Sequence, residues 1–168
     1  MIFNLHTFTI VHVVISLIGI GSGLVVMFGL LASKRLDRST ALFLVSTVAT
    51  SVTGFFFPFH GFTPAIAVGI ISLVILAVVI FARYGRRLAG AWRWIYVVTA
   101  MVAQYLNVFV LIVQLFQKVP RLKAMAPTQS EPPFLLTQLV VLALFIVLTF
   151  VAAIKFRVGP VGSRIRTA

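Results

Sequence analysis

Five mostly apolar stretches, each about the 20 residues a membrane-crossing helix requires, set the terms on which this chain can fold. They run over 8–31, 40–59, 64–83, 94–117 and 134–156, with short polar joints between them. Backbone amides in hydrocarbon must find partners within the protein, which leaves only helices or closed barrels. The stretches lack the polar alternation of barrel strands. The pattern therefore predicts an all-α polytopic membrane protein with five transmembrane helices, a four-helix bundle plus a flanking fifth. We expect one integral membrane domain over residues 1–168, with an outer loop at 118–133 and a tail at 157–168. The start, MIFNLHTFTI, has no positive n-region and leads into an apolar run about twice the length of a signal-peptide core, so it reads as a retained helix.

Charge gives this expectation a direction. The chain has fourteen Lys and Arg but only two acids, Asp37 and Glu131. Lys34, Arg35 and Arg38 follow the first span; Arg83, Arg86, Arg87 and Arg93 follow the third; Lys155, Arg157, Arg164 and Arg166 follow the fifth. Basic residues gather on the cytoplasmic side of short loops, so the N-terminus should lie outside and the C-terminus inside. Lys118, Arg121 and Lys123 are then left on the outer face. Arg83, at the inner end of span three, is expected to snorkel toward the headgroups. The basic clusters suit anionic headgroups of a bilayer, and no nucleic-acid recognition motif accompanies them.

The same composition removes much chemistry. With no cysteine, disulfides, thiolate metal sites and cysteine nucleophiles are excluded. The two acids fall on opposite sides of the expected membrane, so paired-carboxylate catalysis and an acidic magnesium site have no basis.

Polar residues inside the spans mark the faces turned inward. Ser16, Gly19 and Gly23 share a face of span one with His12, and the GxxxG pair is a helix-packing surface, a dimer seam or a bed for a cofactor. Ser46, Thr50 and Thr53 on span two, with Gln104, Asn107 and Gln114 on span four, form an intramembrane polar face. Without partners their amides would cost several kcal/mol in hydrocarbon, so they should bond other helices or line a wetted passage. Span five has almost no polar punctuation; its apolar face suits lipid or a partner protein.

His12 and His60 lie near the outer ends of neighbouring spans and are the candidate ligands of a haem b iron. The outer connection carries Pro120, Pro127, Pro132 and Pro133, a density that favours an extended, stiff segment; it is a spacer, a cover for the outer mouth, or a docking edge. Ile15-Ser16-Leu17 recurs as Ile71-Ser72-Leu73 on a span of the same direction, a short hint of a parallel repeat.

The segments GFFFPFHGFTP at 54–64 and NVFVLIVQLFQKVPRLKAMAPTQSEPPF at 107–134 resemble a family of small bacterial multi-pass inner-membrane proteins. That resemblance implies a bacterial inner-membrane setting and carries no activity or functional residue with it. The leading expectation is a non-enzymatic accessory or structural subunit of a membrane complex, or a small homo-oligomer. The alternatives are a haem b-binding redox protein and a passage for an uncharged polar solute.

Overall fold

The structure is a computed structural model that describes residues 5–58, 61 and 63–157. It is all-α, 83% helical, with no strands among the described residues. In chain order the helices are α1 (Leu5–Leu31), α2 (Asp37–Gly54), α3 (Pro64–Ile80), α4 (Trp92–Lys118), the short α5 (Pro120–Met125) and α6 (Pro132–Lys155). A π-helical turn, Phe81–Gly85, continues α3.

Four helical segments, α1, Pro64–Gly85, α4 and α6, are long and apolar enough to cross a membrane, which fits a multi-pass membrane protein. The fifth long helix, α2, differs from them. Its 18 residues extend about 27 Å at 1.5 Å per residue; it opens on Asp37 and Arg38 and is rich in Ser and Thr. It lies between α1 and α3 and buries Thr40, Ser46 and Thr47 along with Phe43 and Leu44, so neighbouring helices rather than lipid receive much of its polar surface.

Local chemistry explains where the helices start and stop. Pro64 occupies the first turn of α3, where its missing N–H costs nothing, and the Thr63 hydroxyl accepts from the Ile66 amide at 3.4 Å. Pro132 and Pro133 open α6 in the same way. α2 stops at Gly54 rather than at 59: Phe55 and Phe56 donate to the carbonyls of Val52 and Thr53, a tightening that ends the helix ahead of Pro58. The outer connection is not simply extended either, because Pro120 starts α5 as a first-turn proline. The Gln129 side chain then donates to the Val113 carbonyl at 3.0 Å, folding the segment back on α4.

α1 packs on α2, α2 on α3, α3 on α4 and α4 on α1, while α6 lies against α4 and α1. The main apolar core occupies one half of this bundle, where Val26, Leu30, Phe43, Leu76, Met101 and Phe156 meet. A smaller cluster of Ile112, Phe116, Ala126 and Phe134 joins α4, α6 and the connecting segment near the other end.

Candidate functional site

The two ends of the bundle are built differently. At the end where α2 begins and α3 finishes, the chain is knitted together by polar side chains. Arg83, on the π-helical turn, has a side chain only 2% exposed. It points into the bundle instead of out to headgroups, which corrects the snorkelling expectation. Its Nη2 donates to Asp37 Oδ1, its Nη1 donates to the Tyr96 hydroxyl at 3.1 Å, and its guanidinium carbon lies 5.3 Å from the Tyr96 ring centre. The neighbouring Tyr84 ring is 5.6 Å away. Asp37 also accepts from Arg35 Nε at 2.9 Å. π-helical turns break the regular register of a helix and are frequent at functional positions. Here the turn brings a charged side chain to α2 and α4, and its Arg86 N–H reaches the Phe81 carbonyl.

Further ties close this end. Arg93 Nη1 donates to the Phe156 carbonyl at 2.8 Å, capping the C-terminal end of α6. The Arg157 amide donates to the Ser33 hydroxyl at 3.0 Å. Arg86 lies over Trp92 and Arg93 over Trp94.

The opposite end holds a cavity of about 550 Å³ between α1, α2, α3 and α4. Along α1 it runs from Thr9 to Ile20, a depth of about 16 Å at 1.5 Å per residue. Of the residues singled out from sequence, His12, Ser16, Thr50, Asn107 and Gln114 line it, and Lys118 joins them near the end of α4. No residue of the 119–133 connection lines it. Ser16 and Ser72, the serines of the repeated Ile-Ser-Leu triplet, both do.

His12 is tied to α2 through its ring. Its Nδ1 lies 2.8 Å from the Thr53 hydroxyl, whose own hydrogen goes to the Ala49 carbonyl at 2.7 Å. The hydrogen-bond pattern therefore assigns the Nδ1 proton to His12 as donor and leaves Nε2 with a lone pair. Phe57 packs edge-on at 5.0 Å. His60, the other candidate haem ligand, lies outside the described residues.

Below the cavity the helices close up. Asn107 Nδ2 donates to the Thr47 hydroxyl at 3.1 Å, and Gln104 Nε2 donates to the Ile20 carbonyl at 3.0 Å. Gly19 and Gly23 make this approach possible. A Cβ on Gly19 would sit 3.3 Å from the Ser46 and Thr47 hydroxyl oxygens. One on Gly23 would sit 1.8 Å from Gln104 Oε1 and 2.9 Å from Phe43 Cδ2. The GxxxG face is thus filled by α2 and α4 of the same chain. Ser46 spends its hydroxyl on the Leu42 carbonyl of its own helix at 2.6 Å. Among the described residues no cluster of three metal-ligating side chains occurs.

Arg83, Asp37, Tyr96, Ser72 and Lys118 were not marked as site residues by sequence. For the first two a signal existed: Asp37 is the only acid that the expected threading puts on the face where Arg83 emerges. Comparison with known protein families, characterised proteins and solved structures finds no match to this chain.

Proposed function

We propose that this chain is a non-enzymatic multi-pass protein of a bacterial inner membrane, serving as an accessory or structural subunit of a membrane complex or as a small homo-oligomer. The observation that carries this reading is α6. Exposed Leu136, Val140, Ile146, Val147, Phe150 and their neighbours sweep about 200° of its circumference at 100° per residue, leaving an apolar surface against lipid or a partner helix. The polar side chains support it as well: Asp37 is committed to arginines, and Gln104, Asn107 and Gln138 donate to atoms of other helices.

The chain has no cysteine, so one photo-crosslinker attached at Val147→Cys reads the α6 surface directly in native membranes. A discrete adduct, to a second copy or to one partner, is expected. A protein that yields no adduct and runs as a monomer after mild solubilisation overturns the reading.

The threading belongs to the same proposal: five spans with α2 among them, N-terminus out, C-terminus in, and the basic clusters facing anionic headgroups. Ser33→Cys and Phe56→Cys flank α2, so an impermeant thiol reagent on intact cells should label Phe56→Cys at once and Ser33→Cys only after lysis. Labelling of both from the same side removes α2 from the membrane.

A second reading, a haem b-binding redox protein using His12 and His60, draws support from the lone pair on His12 Nε2. Absence of a Soret band in protein from haem-replete cells rejects it. Passage of an uncharged polar solute along Ser46, Thr50, Thr53, Gln104 and Asn107 requires the packed layer of Gln104, Phe43 and Met101 to part. Liposome flux that Asn107→Leu leaves unchanged counts against that reading.

A further inference from the structure

The cavity at the His12 end is framed by four helices. At about 550 Å³ it falls within the range of small-molecule sites, roughly 300–1,000 Å³. Its walls are mainly apolar, with Val13, Leu17, Ile66, Val110 and Leu111 among them. Apolar chambers hold water poorly, and hydrocarbon is their natural filling within a bilayer. Two of the polar groups deeper in the chamber are engaged, Ser16 donating to the His12 carbonyl at 2.7 Å and the Asn107 amide nitrogen to the Thr47 hydroxyl, while the Thr50 hydroxyl is buried there without a partner.

Charge at the mouth has one sign. Among the described residues Lys118 is the only charged side chain lining the cavity, and it makes no ion pair with any of them. Neither acid is free to serve it: Asp37 is held by arginines at the opposite end, and Glu131 is bonded by Thr128 and Ser130 of its own loop. The cavity's depth of about 16 Å along α1 matches half of a hydrocarbon layer about 30 Å thick.

We propose that this cavity binds one acyl chain beneath an anionic head, with the head paired to Lys118 and the chain descending toward Ile20 and Ser72. The head is the carboxylate of a free fatty acid or the phosphate of an anionic phospholipid that inserts one tail. The inference rests on membrane residence alone and stands or falls separately from the subunit reading.

The test uses the full chain in phosphatidylcholine nanodiscs at about pH 9, where a fatty-acid carboxylate is ionised. Three spin-labelled probes are compared by electron paramagnetic resonance: stearate, phosphatidylglycerol and phosphatidylcholine, the last reporting the ordinary lipid shell. An additional immobilised component is expected for stearate, for phosphatidylglycerol, or for both, and the pattern identifies the source of the chain. Lys118→Gln should weaken it roughly fivefold, as expected for one partly exposed ion pair. Val110→Trp should fill the chamber and abolish it, with Leu17→Trp as the independent second filling variant. Equal immobilisation of all three probes by the wild-type protein overturns the proposal. So does an immobilised component that survives either filling variant with helix content intact by circular dichroism, or one that Lys118→Gln leaves at full strength.

Discussion

Removing the negative partner of the Arg83 pair should cost more than removing the positive one. The Arg83 side chain is 2% exposed whereas that of Asp37 is 67% exposed. Asp37→Asn leaves a guanidinium inside the bundle without its counter-charge. Truncating one member of a fully buried pair costs about 3–5 kcal/mol. That figure must be reduced here, because water already screens the exposed carboxylate and Arg83 keeps the Tyr96 hydroxyl and ring. About 1–2 kcal/mol is a reasonable expectation for Asp37→Asn. Arg83→Met takes the buried charge away, fills similar volume with apolar atoms and leaves Asp37 in water beside Arg35, so its cost should be below about 1 kcal/mol. The double variant should then match Arg83→Met, since Asp37 has no buried charge left to serve. The assay is unfolding in mixed micelles of mild detergent and dodecyl sulfate, followed by the emission of Trp92 and Trp94. Both report this end, Trp92 packing edge-on against Phe81 at 5.2 Å. If Arg83→Met proves more costly than Asp37→Asn, the exposure argument is refuted. Equal single-variant costs that simply add in the double variant refute the coupling.

Other consequences can be measured in the same way. Gly23→Ala forces Gln104 and Phe43 aside and should destabilise by about 1–3 kcal/mol; adding Gln104→Ala should recover part of that loss, whereas strict additivity in micelle unfolding would show the two residues to be independent. Tyr96→Phe removes the oxygen that accepts from Arg83 and should cost about 1 kcal/mol by the same assay, with an unchanged midpoint counting against that bond. At the start of α6, slight desolvation pushes the Glu131 carboxyl up, but bonds from the Thr128 amide and hydroxyl and the Ser130 amide outweigh it and hold the group below its ordinary 4.5. A lowered folded value means that this ordering is fully present above about pH 4.5 and fades as pH falls through the lower folded value. Protection of the Thr128 and Ser130 amides, taken relative to the intrinsic exchange rate at each pH, should fall in that acid range and already at neutral pH in Glu131→Gln; protection that ignores both changes would show the loop to be ordered by other contacts.

Much of this architecture is written in local pattern. Apolar length marks the four helical segments long enough to cross a membrane, and the cost of a bare amide in hydrocarbon points the same way as the bonds that Gln104 and Asn107 make to other helices. Short-range rules were less able to place α2's end, which depends on how Phe55 to Pro58 turn, and they misjudged the 118–133 connection because proline stiffens an extended segment yet also starts a helix. Arg83 was misplaced for a different reason. The orientation rule treats a basic residue at a span's end as a solvated marker, but the destination of this one depends on Asp37 in a distant helix and on a π-helical turn that shifts the register. The cavity is the least legible element: it reflects how the helices pack around the His12 end, a property of helix pairs that no single helix face encodes.

Asp37 is made before its buried partner exists. Arg83 is the 46th residue made after it, so the newly made α1–α2 hairpin carries a carboxylate with no arginine from the α3 end. Arg35, two residues upstream, is made earlier still and bonds the same carboxylate oxygen in the finished fold. Arrival of α3 then adds the deeper partner without requiring Asp37 to release the first. The shared carboxylate therefore has one arginine beside it in sequence from the start and gains the second only through folding, while staying largely exposed to solvent.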